Sequence, residues 1–451
     1  MASAYLQRST GTPTSQTQFT VSAWVKRSGL DSSNNMDIFC IYSDNSNRMH
    51  LRFQGDDIDV INYGGSAQAR LTTDRKFRDT NAWYHIVWRV DTTLATADDR
   101  VRLYINGLQE TSFSTRTNPS QNFNFGTNWS TTRIGTGNTT TYFDGQFAHF
   151  HYADGQSYAP TVFGETDATT GIWKPKTSPT VTYGNQGFFL KFDNSANMGL
   201  DSSGQTNNFT TNGTIIQNKD TPSNVFATLD PLNVPTSNAP TFTNGNTKVV
   251  TSTGGNFGGS SNLGASSGKY YFEIKFTAES TSNMGNISLS SSSNARESAR
   301  TNQHSNQLSA TYPNLCYEYD GNVYKDSGSS AGSFGTYSTG DIIIIAMDLD
   351  NQKAYFGKNG TWGNSSDPTS GSTGTGAVTL SANSDFWHLA LGDRNSSGTA
   401  TYEVNFGNGY FGTTAVTSAQ NPDDGIGIFE YDVPAGYRAL CTKSLNAQEY
   451  S

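Results

Sequence analysis

Apolar and polar residues alternate along most of the chain, with the period of a β-strand rather than of a helix. In residues 19–25, Phe19, Val21, Ala23 and Val25 fall on one face. Side chains at successive strand positions point to opposite faces, so this pattern predicts strands that each bury one face. Similar strand patterns are found at residues 83–90, 101–105, 143–152, 187–192, 268–276, 353–362 and 401–407.

The turns between these runs favour antiparallel pairing. Asn106-Gly107 follows the run at 101–105, and Asn359-Gly360 interrupts the run at 353–362. Asn-Gly is typical of the tight turn that joins two antiparallel strands. The longest apolar run, Ile342-Ile-Ile-Ile-Ala-Met, lies within residues 341–350 and predicts a strand buried on both faces.

Length and a change in composition predict two domains. The 451 residues exceed what one hydrophobic core usually serves. Residues 194–240 are rich in Asn, Ser, Thr, Gly and Pro, which favours a boundary near residue 220. We therefore predict an all-β protein of two tandem antiparallel β-sandwich, jelly-roll-like domains, at residues 1–220 and 221–451.

The charge of the chain excludes some partners. The net charge is −9 and no basic cluster stands out. Phosphate binding needs a field of Lys and Arg, so neither nucleic acid nor an anionic membrane surface is expected as a partner. No apolar stretch approaches the length of a membrane span, and the N-terminus lacks a signal-peptide pattern. We expect synthesis in the cytoplasm without secretion or membrane insertion.

The three cysteines do not suggest a framework of disulfide bonds. Cys40, Cys316 and Cys441 are odd in number and widely spaced, and no Cys-x-x-Cys pair exists. They are predicted to be small buried residues of a protein folded in a reducing cytoplasm.

The first half resembles the concanavalin-A-like lectin/glucanase sandwich, and more narrowly its laminin-G-like and pentraxin-like branch. Four motifs carry the resemblance in order and spacing: residues 19–27, 81–91, 102–107 and 143–150. It extends over roughly residues 1–220 and implies a lectin-like sandwich.

The second half resembles the SPRY domain over about residues 225–445. The matching segments are residues 267–274, 319–324, 340–350, 354–362 and 404–407. SPRY domains are bent two-sheet sandwiches that bind partners through loops, so the resemblance implies binding rather than catalysis.

The fusion of the two halves looks like structural proteins of tailed bacterial viruses. Residues 3–8 and 433–445 add to this resemblance. It implies a non-enzymatic protein at the virion surface, as a capsid fibre, head decoration or tail fibre component. The expected partners are other capsid or tail subunits and host glycans, with the chain present as a homo-oligomer or in many copies.

The rival interpretation is a polysaccharide-degrading depolymerase on a glucanase-like sandwich. Retaining glucanases of this fold carry paired carboxylates in a Glu-x-Asp-x-x-Glu arrangement, which is absent here. The nearest acidic cluster, Asp56-Asp57-Ile-Asp59, is interpreted as a solvated turn with a polar strand face. No Gly-x-Ser-x-Gly elbow is present either, so no catalytic residue is predicted. A third interpretation, a secreted adhesin, would need an export signal.

No metal ligand set is predicted. His149 and His151 stand at i, i+2 on one strand, but no third ligand accompanies them, and packing explains them better. Calcium is a candidate, because the laminin-G-like resemblance implies a rim site of Asp, Asn and carbonyl oxygens. Asp144 occupies a position typical of that family. Loop Asn and Asp residues also stabilise turns, so no calcium ligands are assigned.

Three loop aromatics are the candidate residues for binding a glycan or a protein partner. Trp129 and Tyr142 lie in polar loops of the first half, and Trp362 follows the Asn359-Gly360 turn in the second. An aromatic ring beside Asn, Asp or backbone groups suits sugar recognition. The alternative, that these rings close the sandwich ends or contact a neighbouring subunit, stays open.

Overall fold

The computed structural model describes residues 3–30, 35–304, 311–326, 328 and 330–449. The chain divides into two compact units, Met1–Gln217 and Asn218–Ser451. Each is built almost wholly of antiparallel strands, which confirms the predicted fold class.

In the first unit, the described residues form sixteen strands. They are β1 (Tyr5–Ser9), β2 (Gln18–Arg27), β3 (Asn35–Asp44), β4 (Asn47–Gln54), β5 (Asp57–Gly64), β6 (Ala67–Thr73), β7 (Tyr84–Asp91), β8 (Val101–Ile105), β9 (Leu108–Gln109), β10 (Phe113–Thr117), β11 (Thr131–Ile134), β12 (Gly145–Asp154), β13 (Gly164–Thr166), β14 (Trp173–Pro175), β15 (Phe188–Leu190) and β16 (Thr210–Asn212). Short 3-10 turns lie at Ala97–Asp99 and Pro160–Val162.

Two large sheets pack face to face in this unit. An eight-stranded sheet has the order β10-β6-β5-β4-β3-β11-β1-β16, and a six-stranded sheet has the order β15-β12-β2-β7-β8-β9. One apolar cluster draws on the inner faces of both sheets. The alternation in β2 sends Phe19, Val21, Ala23 and Val25 into this cluster, all fully buried. The sandwich follows from that period of two.

A tight turn joins β8 to β9 as the sequence predicts. Asn106 has φ 49° and Gly107 has φ 82°, the left-handed pair that a two-residue hairpin turn requires. Its twist matches the right-handed twist of the strands, and β8 pairs with β9 directly across it.

A further layer covers the outer face of the six-stranded sheet. Residues 158–183 fold back over it, and Phe163 packs on Val87 and Tyr104. Trp173 Nε1 donates to His85 Nδ1 at 3.0 Å, and the Tyr183 hydroxyl lies 2.9 Å from His151 Nδ1. The polar groups on this face are therefore enclosed by protein.

In the second unit, the described residues form seventeen strands and two α-helices. They are β17 (Thr241–Thr243), β18 (Lys248–Val250), β19 (Phe257–Ser260), β20 (Lys269–Glu279), β21 (Gly285–Ser291), α1 (Ser292–Thr301), β22 (Asn314–Glu318), β23 (Asn322–Lys325), β24 (Ser330–Ser333), β25 (Ile342–Asp348), β26 (Lys353–Lys358), β27 (Thr361–Trp362), β28 (Val378–Thr379), β29 (Trp387–Asp393), β30 (Ala400–Asn405), β31 (Tyr410–Phe411), β32 (Thr414–Ala415), β33 (Arg438–Ala439) and α2 (Thr442–Glu449). A 3-10 segment spans Pro368–Thr373.

This unit is also a sandwich. The main sheet has the order β17-β18-β30-β20-β25-β26-β27, with β28 and β33 attached to β26 and β20. The second sheet has the order β19-β29-β21-β22-β23-β24. Their inner faces share one apolar cluster, which includes Phe272 and Ile345 from the main sheet and Leu315 from the second.

β25 is buried on both faces, as its apolar run predicts. Ile343 and Ile345 enter the core between the sheets, whereas Ile344 and Ala346 face a second cluster on the outside of the main sheet. Residues 426–441 supply most of the cover there, with Phe429 and Tyr437 fully buried. The outer face of this sheet is thus an internal surface.

Helix α1 packs on the outer face of the second sheet. It begins at Ser291, whose hydroxyl accepts from the Asn294 amide, and it buries Ala295 and Ala299. Among the described residues, both α-helices are too short and too polar to traverse a lipid bilayer.

The three cysteines Cys40, Cys316 and Cys441 are free and buried, which confirms their predicted role as interior residues.

Candidate functional site

The outer face of the eight-stranded sheet in the first unit is polar along its central strands. We call it the polar face. Its side chains alternate with those of the core, and register aligns Asp37, Arg52 and Asp59 in one row and Cys40 with His50 in the next. The residues of the polar face are Gln7, Asp37, Cys40, Tyr42, Arg48, His50, Arg52, Asp59, Tyr63, Arg70 and Arg133.

A carboxylate organises one end of the polar face. Asp59 is fully buried. Its Oδ2 accepts from Arg52 Nε at 3.0 Å, and its Oδ1 accepts from Arg70 Nε and the Thr72 hydroxyl at 2.8 Å each. The prediction that this acidic cluster is solvated is wrong for Asp59, because two guanidiniums on neighbouring strands enclose it. Asp56 and Asp57, in the adjoining turn, pair with Arg78 and Lys76.

A Cys-His-Asp row lies beside this cluster. Asp37 Oδ1 accepts from His50 Nδ1 at 2.5 Å, and Cys40 Sγ lies 3.9 Å from His50 Nε2. Burial works to raise the pKa of Asp37, but hydrogen bonds from His50 and Thr141 outweigh it and leave the pKa below its usual value. Burial raises the pKa of the Cys40 thiol well above its ordinary value, and the sulfur has no exposure. The row cannot supply an accessible thiolate nucleophile.

Cations alternate with aromatic rings across four neighbouring strands, β11, β3, β4 and β5. Register places Tyr42, Arg48 and Tyr63 side by side on β3, β4 and β5. The Arg48 guanidinium lies 4.4 Å from the centre of the Tyr63 ring, and that of Arg133 lies 4.9 Å from the Tyr42 ring. We call these four residues the arginine–tyrosine stripe. All four are partly exposed, so the stripe presents charge and flat rings to solvent.

The two arginines of the stripe form no close ion pair among the described residues, although Arg48 has Asp44 as a more distant neighbour, whose pKa is lowered by hydrogen bonds from Asn47 and Ser46 and further by the charge of Arg48. No carboxylate lies within 4.0 Å of Arg48 or Arg133, in contrast to Arg52 and Arg70. Arg133 is positioned instead by neutral groups, since its Nε donates to Gln7 Oε1 at 2.9 Å and its Nη1 donates to the Gly137 carbonyl at 2.8 Å. The stripe is a local excess of positive charge in an acidic chain.

Tyr142 lies at the edge of the polar face. Its ring centre is 6.2 Å from that of Tyr5 on β1, and its hydroxyl donates to the Thr139 carbonyl at 2.5 Å. Trp129 is half-buried against the core of the first unit. A Cβ at Gly126 would come within 2.2 Å of its ring, so the indole rests on bare backbone.

Trp362 belongs to the second unit. It stands on β27 and is half-buried against the outer cluster of the main sheet, with its ring 6.3 Å from Tyr271. The sequence pointed to these three loop aromatics and missed the stripe. The missed signal is the polar set Arg48, His50 and Arg52 at alternate positions of one strand, opposite apolar residues that form the core.

The histidines of the six-stranded sheet belong to packing. A bulge separates Ala148 from His151, and the His151 ring stacks on Phe189 at 3.9 Å. His149 stacks on the same ring at 5.9 Å. Burial lowers the pKa of His85, a neighbour under the same cover, to about 3. Neutral rings among aromatics explain these residues, and calcium near Asp144 stays a prediction without a ligand set.

The polar face suits recognition better than hydrolysis. A glycosidase acid needs a carboxyl group whose pKa is raised, opposite a second carboxylate. The carboxylates here, Asp37 and Asp59, are each held by cationic or hydrogen-bonding side chains, and the pKa of Asp37 is lowered.

Residues 1–157 match the family model described as the concanavalin A-like lectin/glucanases superfamily. The predicted resemblance is confirmed for this part of the chain. No curated protein matches.

Similar solved structures include carbohydrate-binding and SPRY proteins. A putative carbohydrate binding protein from Bacteroides ovatus is 15% identical over 48% of this chain and 57% of its own, with a TM-score of 0.32. The SPRY domain of human HERC1 is 18% identical over 39% of this chain and 96% of its own, with a TM-score of 0.30. A pentraxin from Limulus polyphemus is 16% identical over 35% of this chain and 71% of its own, with a TM-score of 0.25. We base no functional conclusion on similarity at this level.

Proposed function

We propose that the first unit binds an acidic saccharide on the polar face and does not cleave it. The arginine–tyrosine stripe is the observation that carries the proposal. Flat rings at partly exposed positions pack against the apolar faces of sugar rings, and guanidiniums form paired hydrogen bonds with carboxylate or sulfate groups.

The dimensions of the stripe suit an extended ligand. Neighbouring strands lie about 4.8 Å apart, so four strands give a platform about 14 Å wide. Tyr42 and Tyr63 flank Arg48, and Arg133 on β11 lies against the ring of Tyr42. A chain with acidic groups at intervals would place one group on each free guanidinium.

Charge supports an acidic rather than a neutral sugar. The whole chain carries a net charge of −9, and yet Arg48 and Arg133 form no close ion pair among the residues described, with Asp44 a more distant neighbour of Arg48. Guanidiniums without a close counterion favour a ligand whose negative charge pairs with them at short range, where salt screens the overall repulsion. Added salt should weaken such binding.

Glycan-array binding by the full chain tests this proposal. Acidic oligosaccharides and their neutral counterparts are compared, with Arg48→Gln and Arg133→Gln as variants and Arg78→Gln as control. Arg78 is an exposed arginine of the same unit that pairs with Asp56 outside the stripe. We expect each stripe variant to lose about tenfold in affinity, because a charge-assisted hydrogen bond contributes about 1.5–3 kcal/mol.

Two outcomes would overturn the proposal. One is equal binding by the stripe variants and the control. The other is release of new reducing ends from the bound polysaccharide, which would favour the depolymerase interpretation and require a new search for catalytic carboxylates.

The setting that we propose is the surface of a tailed bacterial virus. The chain would be a non-enzymatic capsid fibre, decoration or tail fibre component, docked in many copies on other virion proteins. Support comes from the pairing of a lectin-like with a SPRY-like sandwich and from the resemblance of residues 3–8 and 433–445 to virion proteins.

Cryo-electron microscopy of the native particle tests the virion setting separately. Density for this chain against capsid or tail subunits is the expected result. Purified particles without the chain would refute the setting, and they would leave saccharide binding by the first unit to be judged on the array alone.

A further inference from the structure

A buried group of three different ligand types lies on the outer face of the second sheet of the second unit. Cys316 and Glu318 stand at i, i+2 on β22, so their side chains leave the same face. His304 follows α1 and reaches the same place. Their exposures are 0%, 1% and 6%. Among the described residues, this is the one group of three or more His, Cys, Asp or Glu whose ligand atoms converge.

The spacing is close to that of a tetrahedral metal site. One ligand atom from each residue lies within 4.8 Å of the others, and Cys316 Sγ is 3.9 Å from Glu318 Oε1. A tetrahedral zinc ion, with Zn–S of about 2.3 Å and Zn–O of about 2.1 Å, holds sulfur and oxygen about 3.6 Å apart. Side-chain shifts of well under about 1 Å would complete the S–O spacing.

Neighbouring side chains already orient the three residues. Arg394 Nε lies 2.9 Å from Glu318 Oε2, which leaves Oε1 facing the sulfur. The Asn286 side-chain nitrogen donates to His304 Nδ1 at 3.1 Å, and the Ser288 hydroxyl donates to Asn286 Oδ1 at 3.3 Å. Metal binding by His304 therefore requires the Asn286 amide to rotate, either to free Nδ1 for the ion or to accept the Nδ1 proton while Nε2 binds the ion.

We propose that His304, Cys316 and Glu318 bind one zinc-class divalent ion that fastens the segment after α1 to β22. A thiolate, an imidazole and a carboxylate form a ligand set that favours zinc over magnesium or calcium, which prefer all-oxygen sites. The Asn286 amide or a water fills the fourth position. The depth of burial assigns the ion a structural role.

Binding releases one proton. The Cys316 S–H bond breaks, the sulfur takes the metal as a thiolate, and the proton leaves to solvent.

The first unit contains a matched control. Cys40, His50 and Asp37 offer the same three donor types and are equally buried. There the imidazole lies between the other two, with the carboxylate on Nδ1 and the sulfur near Nε2. A ring with a neighbour at each nitrogen cannot bring sulfur and carboxylate to one ion.

Cobalt titration of the full chain tests the proposal, after metals are removed with a chelator. We expect one equivalent of Co²⁺, a thiolate-to-cobalt charge-transfer band, and displacement by zinc. Cys316→Ser should abolish the band and Cys40→Ser should retain it. Zinc should raise the midpoint of thermal unfolding by about 5 °C in the wild type and in Cys40→Ser only.

The wild type alone can overturn the proposal. Absence of a stoichiometric cobalt band in the stripped protein refutes the site, even if Cys316→Ser fails to fold. Survival of the band in Cys316→Ser, or its loss in Cys40→Ser, refutes the assignment to Cys316. Glu318→Gln, which keeps the side-chain volume, should weaken cobalt binding at least about tenfold.

Discussion

The outer faces of the two largest sheets differ in what covers them. In the first unit, Arg52 and Arg70 hold the buried Asp59 on a face whose arginine–tyrosine stripe meets solvent. In the second unit, residues 426–441 bury the outer face of the main sheet, and Glu273 lies beneath them. Similar strand alternation therefore produces a solvent-facing polar surface in one unit and an internal layer in the other.

The buried carboxylates make the difference clear. Glu273 accepts four hydrogen bonds from the Glu430 and Tyr431 amides, the Asn405 side chain and the Tyr271 hydroxyl, at 2.9–3.1 Å. All four donors are neutral, and two of them belong to the covering segment. Asp59 is instead held by two cationic side chains of its own sheet. Glu273, which is held by neutral donors, attaches the covering segment to the main sheet. Asp59, which is held by two arginines, positions their charges at a surface.

The largest effect is expected when Glu273, which attaches the covering segment to the main sheet of the second unit, loses its carboxylate. Glu273→Ala leaves four buried donors without an acceptor and opens a cavity, so the free energy of unfolding of that unit should fall by about 4 kcal/mol. Calorimetry of the full chain measures it. Glu297→Gln, which changes a carboxylate on the surface of α1, is the control and should leave the transition in place. An equal loss of stability in Glu273→Ala and Glu297→Gln would contradict this role of Glu273.

The next largest effect is expected in the pH dependence of stability, which should differ between the two units. Burial raises the pKa of Glu273 to about 7, above its ordinary value of 4.5. Between these values the folded state keeps a proton that the unfolded state releases, so stability from this group is full below pH 4.5 and is lost as pH rises to 7. The loss is about 3 kcal/mol.

Glu273→Gln isolates this contribution because the amide does not titrate. Unfolding of wild type and variant is followed from pH 4 to 8, and the difference between them should change over this window in the second unit only. A constant difference would refute the raised pKa.

A smaller effect is expected for Asp59→Asn. Arg52 and Arg70 lose their shared counterion, so the first unit should lose about 2 kcal/mol of stability. The same change adds positive charge to the polar face, so affinity for an acidic saccharide should rise. Denaturation and glycan binding measured on the same variant check both signs. Asp57→Asn, in the adjoining turn, is the control, and a fall in affinity of Asp59→Asn would contradict the expected effect of added positive charge on the polar face.

The smallest effect comes from one substitution made on both faces. Tyr63→Leu removes a partly exposed ring beneath Arg48, and a cation–π contact at such a site contributes about 0.5–1 kcal/mol. Tyr355 is fully buried under the covering segment, and Tyr355→Leu should cost about 2 kcal/mol. Urea unfolding of both variants gives the difference. Equal costs would mean that the two tyrosines are equally covered.

The alternation of apolar and polar residues predicted the strands well, because this pattern can be recognised without knowing which strands pair with each other. The runs at residues 83–90 and 101–105 lie within or close to β7 and β8, and the burial of β25 on both faces followed from its six apolar residues. The predicted ends of the strands were less accurate. Residues 143–152 became β12 at Gly145–Asp154, and residues 187–192 shortened to Phe188–Leu190.

Helix α1 and the polar face were both missed, for different reasons. α1 buries only Ala, Ser and Asn, so its period carries little hydrophobic contrast. The stripe joins four strands, and register across strands is set by turns and bulges that a single run does not reveal. His304 likewise reaches Cys316 only through the fold. Sequence reasoning therefore favoured conspicuous loop aromatics such as Trp129, which the core partly absorbs.

The late position of the covering segment has a kinetic consequence. β33 pairs in parallel with β20, and the layer over Tyr271 and Ile344 forms only when residues up to 441 are available. Ribosomes add about 5–20 residues per second, so β26 emerges roughly 4–17 s before that cover. During this interval the nascent sheet presents an apolar face to other chains. Rapid synthesis of many copies would therefore depend on chaperones, or on crowding low enough for each chain to finish its own third layer.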